Sequence, residues 1–123
     1  MMRPWLKSDY GQYSQWFIAR ALTPPPQDCL PPIGVIIDNV AAGFLVKTDA
    51  KVAMIEHVVT NPRAESELRE QALNEINDEL SFLAKKAGFK YLYGDTNFKE
   101  ISDRAHRYGF KSIGKFDHFI KEL

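Results

Sequence analysis

The chain has 123 residues, 45% of them hydrophobic and 12% aromatic, which suffices for one packed core but not for two separate cores. Sixteen Lys and Arg residues balance sixteen Asp and Glu residues, so no net charge directs the chain to nucleic acid or to an anionic membrane. Cys29 is the only cysteine, which excludes an internal disulfide and a cysteine-based zinc site. We therefore expect one domain over residues 1–123 without a metal ion.

The N-terminal sequence MMRPWLKSDY contains no apolar stretch long enough for a signal peptide. No run in the sequence approaches the roughly 20 apolar residues that a membrane span requires. The expectation is a soluble, cytoplasmic protein with no membrane partner.

The first predicted elements are an edge strand at MRPWL and a helix from about residue 9 to 21. Ser8 is a candidate N-cap, and Asp9 follows in the first turn, where negative charge suits the helix dipole. Aromatic residues recur along this segment at helical spacing. We expect them to pack in the core rather than to form a ligand site.

Three apolar segments follow a proline-rich stretch, TPPPQDCLPP. They are IGVIID, NVAAGFLVKT and KVAMIEHVVTN, and the short connections between them predict an antiparallel meander. The last is apolar at both alternating sets of positions, as in a central strand that is covered on both faces.

The second half predicts a long helix, a strand, a shorter helix and a strand-rich C-terminus. The long helix has an apolar stripe, and Gly88 stands where a left-handed C-cap belongs. The next predicted strand is KYLYGDT. The shorter helix is NFKEISDRAHRY, which ends at Gly109. The last segment, FKSIGKFDHFIKEL, is predicted to form one or two strands around Gly114. The stripe comprises Leu68, Ala72, Ile76, Leu80, Leu83, Ala84 and Ala87.

This order predicts an α/β (α+β) fold with a mixed, mainly antiparallel sheet and helices on both faces. It resembles the GNAT family, the Gcn5-related N-acetyltransferases. The segments that carry the resemblance are RPWLKSDYGQYSQWF, AMIEHVVTNP, LAKKAGFKYLYGDTN and RAHRYGFKSIG, which together extend over nearly the whole chain. The chain is also similar to the divergent acetyltransferase-like proteins of tailed bacteriophages.

The resemblance implies acyl transfer from acetyl-CoA to an amine on a small molecule or a protein. In that family the pantetheine of CoA borrows backbone hydrogen bonds from the fourth strand where it parts from the fifth, here at Val58 and Val59. The pyrophosphate is held at a helix start by the motif Gln/Arg-x-x-Gly-x-Gly/Ala.

The best match to this motif is the segment from Glu67 to Ala72, and it contains no glycine. The resemblance places the pyrophosphate at the backbone N–H groups of residues 68–73, with Arg63 or Arg69 supplying positive charge. Glu70 replaces a glycine and is expected to repel the phosphates. Between Glu67 and Ala72, the residues matched to the motif are Leu68, Arg69, Glu70 and Gln71.

Glu56 and His57 are the candidate proton acceptors of the fourth strand. Burial would raise the pKa of Glu56 toward a useful range, and strand alternation predicts that His57 lies on the opposite face of the sheet. Where the family often has a tyrosine as general acid, this chain has Ala105. Tyr93 of the fifth strand is the candidate hydroxyl, and Asn97 is a candidate cofactor contact or simply an N-cap.

Two functions remain open from the sequence. The chain is an acetyl-CoA-dependent N-acetyltransferase with an atypical phosphate loop, or it is an inactive protein of the same fold that acts by binding another protein or a second copy of itself. The aromatic first helix could serve such an interface. Nucleic-acid binding is unfavourable at zero net charge, although Lys85, Lys86, Lys90 and Lys99 could form a local patch.

Overall fold

The computed structural model describes residues 1–95 and 99–123. Its regular elements follow the predicted order as far as the shorter helix of the second half. They are strands β1 (Met2–Pro4), β2 (Ile33–Ile37), β3 (Ala41–Lys47), β4 (Val52–Thr60) and β5 (Tyr91–Gly94), and helices α1 (Tyr10–Ile18), α2 (Ser66–Lys86) and α3 (Lys99–Arg107).

The five strands form one mixed sheet in the order β1-β2-β3-β4-β5. The first four pair antiparallel, and β5 pairs parallel to β4. The predicted antiparallel meander is therefore confirmed, and so is the central position of β4. The parallel pairing arises because α2 carries the chain back across the sheet between β4 and β5.

One helix covers each face of the sheet, as the fold prediction required. Tyr13 and Trp16 of α1 pack with Phe44 on one face, which confirms that the aromatic residues of α1 belong to the core. On the other face, Ile76 and Leu80 of α2 are buried against the sheet. We call these the α1 face and the α2 face.

The stripe of α2 is buried only in its middle part. Leu68 is 47% exposed and Ala87 is exposed, whereas Leu73, which the stripe did not include, is buried. The predicted cap at Gly88 is present, with φ +93° and a hydrogen bond from the Phe89 N–H to the Ala84 carbonyl. Among the residues described, no helix combines the length and apolar character needed to cross a bilayer.

Two local predictions are wrong. Ser8 does not cap the first helix, because Lys7–Asp9 form a 3-10 turn and α1 runs only from Tyr10 to Ile18. The Asp9 carboxylate instead accepts hydrogen bonds from the Leu6 N–H and the Arg3 guanidinium. Residues 110–123 form neither of the predicted strands and are mostly exposed, since they pair with no other strand.

Candidate functional site

Strand β4 contains a bulge at His57. Phe44 of β3 lies opposite Glu56, and Ala42 lies opposite Val59. Between these two pairs β4 has two residues and β3 has one, so β4 contains one additional residue. His57 takes up the additional residue in a left-handed conformation, with φ +58°. Such a conformation is costly for a residue with a side chain, and bulges of this kind re-aim neighbouring side chains.

The bulge places Glu56 and His57 on the same face of the sheet, and the prediction of opposite faces is wrong. Glu56 pairs directly with Phe44, whose ring belongs to the α1 face. The imidazole of His57 lies edge-on to that same ring, with 6.4 Å between centroids. Strict alternation fails because the inserted residue interrupts the two-residue period of the strand.

Helix α1 and the residues just after it hold the bulge and the end of β4 through side chains that donate hydrogen bonds to β4. The Tyr13 hydroxyl donates to the His57 carbonyl at 2.8 Å. The Arg20 guanidinium donates to the carbonyl of Thr60 and, at 2.7 Å, to its hydroxyl. These bonds fix the backbone of β4 relative to α1.

Strands β4 and β5 pair only over part of their course. The parallel register joins Val52 to Tyr91 and ends with Ile55 opposite Gly94. Strand β4 continues to Thr60, so the edge of its second half faces no strand within the described ranges. The backbone of Val58 and Val59 lies in this second half.

Asp95 follows β5 immediately and interacts with the side chains of the bulge. Burial is the main cause that raises the pKa of Glu56, to about 7, and the negative charge of Asp95 adds to it. Burial lowers the pKa of His57, so the imidazole is neutral at pH 7. Half-buried Glu56 is therefore a carboxyl group poised near neutrality, as a general base should be.

The exposed C-terminal segment reaches the same cluster through His118. Its Nε2 lies 3.1 Å from a carboxylate oxygen of Asp95. The structure thus gathers Glu56, His57, Asp95 and His118 beside the end of β5, and sequence analysis identified only the first two. The position of Asp95 could have been found from its register, because it continues β5 next to Glu56.

The candidate hydroxyl of Tyr93 lies on the face that carries Glu56. Leu92 packs with the α2-face cluster, so Tyr93 points to the α1 face by alternation, and it is 50% exposed. Tyr108 instead donates its hydroxyl to Asn74 of α2, and His106 is exposed. The predicted contact at Asn97 lies outside the described residues.

A cleft of about 460 Å³ extends from the second half of β4 to α2 and α3. Val58, Val59, Arg69 and Leu73 contribute to its wall, with Ser66 at the start of α2. Of the arginines that line the cleft, the sequence pointed to Arg69 but not to Arg20, which follows α1, or to Arg104 of α3. Arg104 could have been inferred from its i, i+3 spacing to the apolar Ile101, which also lines the cleft.

The start of α2 offers free backbone donors, but earlier in the chain than predicted. The helix begins at Ser66 after an N-cap at Glu65, and the Arg69 N–H already donates to the Glu65 carbonyl. The N–H groups without a helical partner are therefore those up to Leu68. The prediction that residues 69–73 present N–H groups to a phosphate is wrong, because helix hydrogen bonds occupy them.

The side chains of the predicted phosphate segment point in several directions. Glu70 pairs with Arg107 of α3 at 3.6 Å, which partly neutralises the carboxylate expected to repel phosphates. Ala72 is buried in the core, and Gln71 and Arg63 are exposed. Of the predicted positions, Val58, Val59 and Arg69 line the cleft.

No protein-family model and no curated protein matches this sequence. Solved structures do match. An acetyltransferase from Trypanosoma brucei superposes with a TM-score of 0.73 at 14% identity, covering 98% of this chain and 99% of that one. Rv2747 from Mycobacterium tuberculosis, solved with CoA, gives 0.75 at 17% identity over 93% and 73% of the two chains. The aminoglycoside N-acetyltransferase AAC(6')-Iy, also solved with CoA, gives 0.64 at 13% over all of both chains.

These likenesses extend over whole folds at low sequence identity. The five-stranded mixed sheet with a helix on each face, and the crossover that sets β5 parallel to β4, are the features on which such a superposition depends. The chain therefore has the fold of the GNAT acetyltransferases, as its sequence resemblance implied.

Proposed function

We propose that this chain is an acyl-CoA-dependent N-acyltransferase that transfers an acetyl group from acetyl-CoA to an amine. The observation that carries the proposal is the placement of Glu56, with a pKa of about 7, where β5 ends and β4 continues beyond it. At Val58 and Val59, the edge of β4 away from β3 faces no strand within the described ranges and supplies backbone groups for the pantetheine. The cleft beside it has room for the rest of the pantetheine arm of CoA.

In the proposed reaction, the amine nitrogen attacks the thioester carbonyl. A C–N bond forms, the C–S bond breaks, and the Glu56 carboxylate takes the proton that the amine loses. The departing thiolate takes a proton from the Tyr93 hydroxyl or from solvent. His57 is neutral at pH 7 and shares the same face, so it is the second candidate acceptor of the amine proton.

Acetyl-CoA binding is the first test. A ligand at 100 times its Kd adds about 2.7 kcal/mol to the free energy of unfolding, which a thermal melt detects readily. Turnover is then followed as release of CoA thiol in the presence of a panel of amines, in a Cys29→Ser background because Cys29 is exposed. We expect Glu56→Gln to bind acetyl-CoA but to lose roughly 100-fold or more in turnover.

The exposed C-terminal segment favours a second candidate function, an inactive protein of this fold that binds another protein or a second copy. Phe116 is 77% exposed and Phe119 is 91% exposed, and both belong to residues 110–123. Large apolar side chains are costly in water and often mark interaction sites. If acetyl-CoA leaves the melting temperature unchanged at millimolar concentration, this function takes precedence, and sedimentation then tests for a dimer.

A further inference from the structure

Within the described ranges, the charged residues that line the cleft beside β4 are all arginines, although the chain has zero net charge. Three arginine side chains line it, namely Arg20, Arg69 and Arg104, and the lining residues within the described ranges include no carboxylate. Each arginine comes from a different part of the fold. Guanidinium groups converging from separate elements are the arrangement that recognises phosphate oxygens, because their planar N–H donors match phosphate geometry.

Arg104 supplies the sharpest sign of an anion site. Its Nε is buried and has no hydrogen-bond acceptor in the part of the chain that the structure describes. Arginine keeps its charge in proteins, so it cannot lower the cost of this burial by losing a proton. An anion held in the cleft by the rest of the same guanidinium would offset this cost.

Glu70, the neighbour of Arg69 on α2, is already engaged. It pairs with Arg107, one turn beyond Arg104 on α3. This pair partly neutralises the Glu70 carboxylate, whereas Arg69 and Arg104 line the cleft. Arg20 is held against the end of β4 by Thr60, so its position is fixed before any ligand arrives.

We propose that Arg104 and Arg69 form a guanidinium clamp for the diphosphate of the bound ligand, in place of the glycine loop that this chain lacks. The inference rests on the proposed function, in which the ligand is an acyl-CoA, and it assigns the phosphate contacts to side chains of α2 and α3. The backbone N–H groups of residues 65–68 then make additional contacts to the phosphates, while the arginine side chains make the main ones.

Calorimetric titration with three probes tests the clamp. CoA carries 3′-phosphoadenosine, the diphosphate and the pantetheine, ADP carries adenosine and the diphosphate without the pantetheine, and pantetheine carries no phosphate. We expect Arg104→Gln to weaken CoA and ADP binding by roughly 10- to 100-fold, as loss of a charge-assisted contact does, and to leave pantetheine binding unchanged. Arg69→Gln should act in the same direction and provides a second variant if α3 is disturbed.

Lys86→Gln is the matched control, because it removes the same charge at the opposite end of α2 and should not affect any probe. If wild type binds CoA and both arginine variants bind it equally well, the clamp is overturned and the proposed function stands. If wild type binds ADP through Arg104 but not CoA, the clamp stands and the proposed function falls. If wild type binds neither at millimolar concentration, both fall.

Discussion

The hydroxyl of Tyr13 donates a 2.8 Å hydrogen bond to the carbonyl of His57, and through it a side chain of α1 holds the bulge of β4. Tyr13 is fully buried, and burial raises its pKa, so the phenol remains a donor at all ordinary pH values. The accepting carbonyl belongs to the left-handed residue of the bulge. The core of the α1 face and the geometry of the candidate base are therefore coupled.

Tyr13→Phe should destabilise the protein by about 1 kcal/mol, because the ring still fills its site while the carbonyl loses its donor. Urea unfolding measures the change, and amide exchange at residues 56–59 should increase. Tyr10→Phe is the matched control, since it removes a similar 2.8 Å bond to Pro25 in the proline-rich loop. Equal exchange at the bulge in both variants would contradict the coupling.

Glu56 should make the stability of the protein decrease as pH rises. Its pKa is raised from 4.5 to about 7 in the folded protein, so between these values the folded state binds more protons than the unfolded state. The contribution is fully present below the ordinary pKa and is lost as pH rises through 7. Against Glu56→Gln, wild type should lose on the order of 1 kcal/mol from about pH 5 to 8, allowing for solvent screening of a half-buried group.

Thermal melts across this pH range check the prediction, with the exposed Glu75→Gln as a control that should follow wild type. A constant difference between wild type and Glu56→Gln at every pH would show that burial of Glu56 does not perturb its protonation.

Gly43 should not tolerate a side chain. It lies opposite the bulge, and a Cβ there would come within 2.9 Å of Ile76 Cγ2 and 3.2 Å of Val58 Cγ2. Gly43→Ala should therefore cost about 1–3 kcal/mol by forcing α2 away from the sheet. Denaturant unfolding measures the loss.

Gly11→Ala is the opposite case and serves as the control. Nothing lies within 4 Å of a Cβ at Gly11, which is inside α1. Alanine there should stabilise the protein by about 0.5–1 kcal/mol through its higher helix propensity. A similar loss in both variants would mean that the contact between α2 and Gly43 is looser than described.

Glu70→Gly should not tighten CoA binding, although the sequence motif suggested that it would. Position 70 lies inside α2, where its N–H is occupied, so glycine exposes no new phosphate donor. Loss of the pair with Arg107 and of helix propensity should instead cost about 1 kcal/mol of stability. Calorimetry and urea unfolding on Glu70→Gly and Glu70→Ala separate the backbone effect from the charge effect. If Glu70→Gly alone binds CoA more tightly, the phosphate motif does lie at residues 67–72, as the sequence predicted.

The sequence alone determined the order of the elements from β1 to α3. Apolar periodicity identified the meander of β2 to β4 and the long amphipathic α2, and Gly88 marked where α2 ends, because these features depend on local chain geometry. The candidate base Glu56 also stood out locally, as one of two ionisable residues in an apolar strand.

Only the tertiary structure decided how the site is arranged. The bulge at His57 depends on pairing with β3 and on the hydrogen bond from Tyr13, so alternation within β4 could not reveal that Glu56 and His57 share a face. Arg20, Arg69 and Arg104 meet in one cleft although they are far apart in sequence. Their convergence is set by how α1, α2 and α3 bring distant parts of the chain together, which is long-range packing that no local pattern encodes.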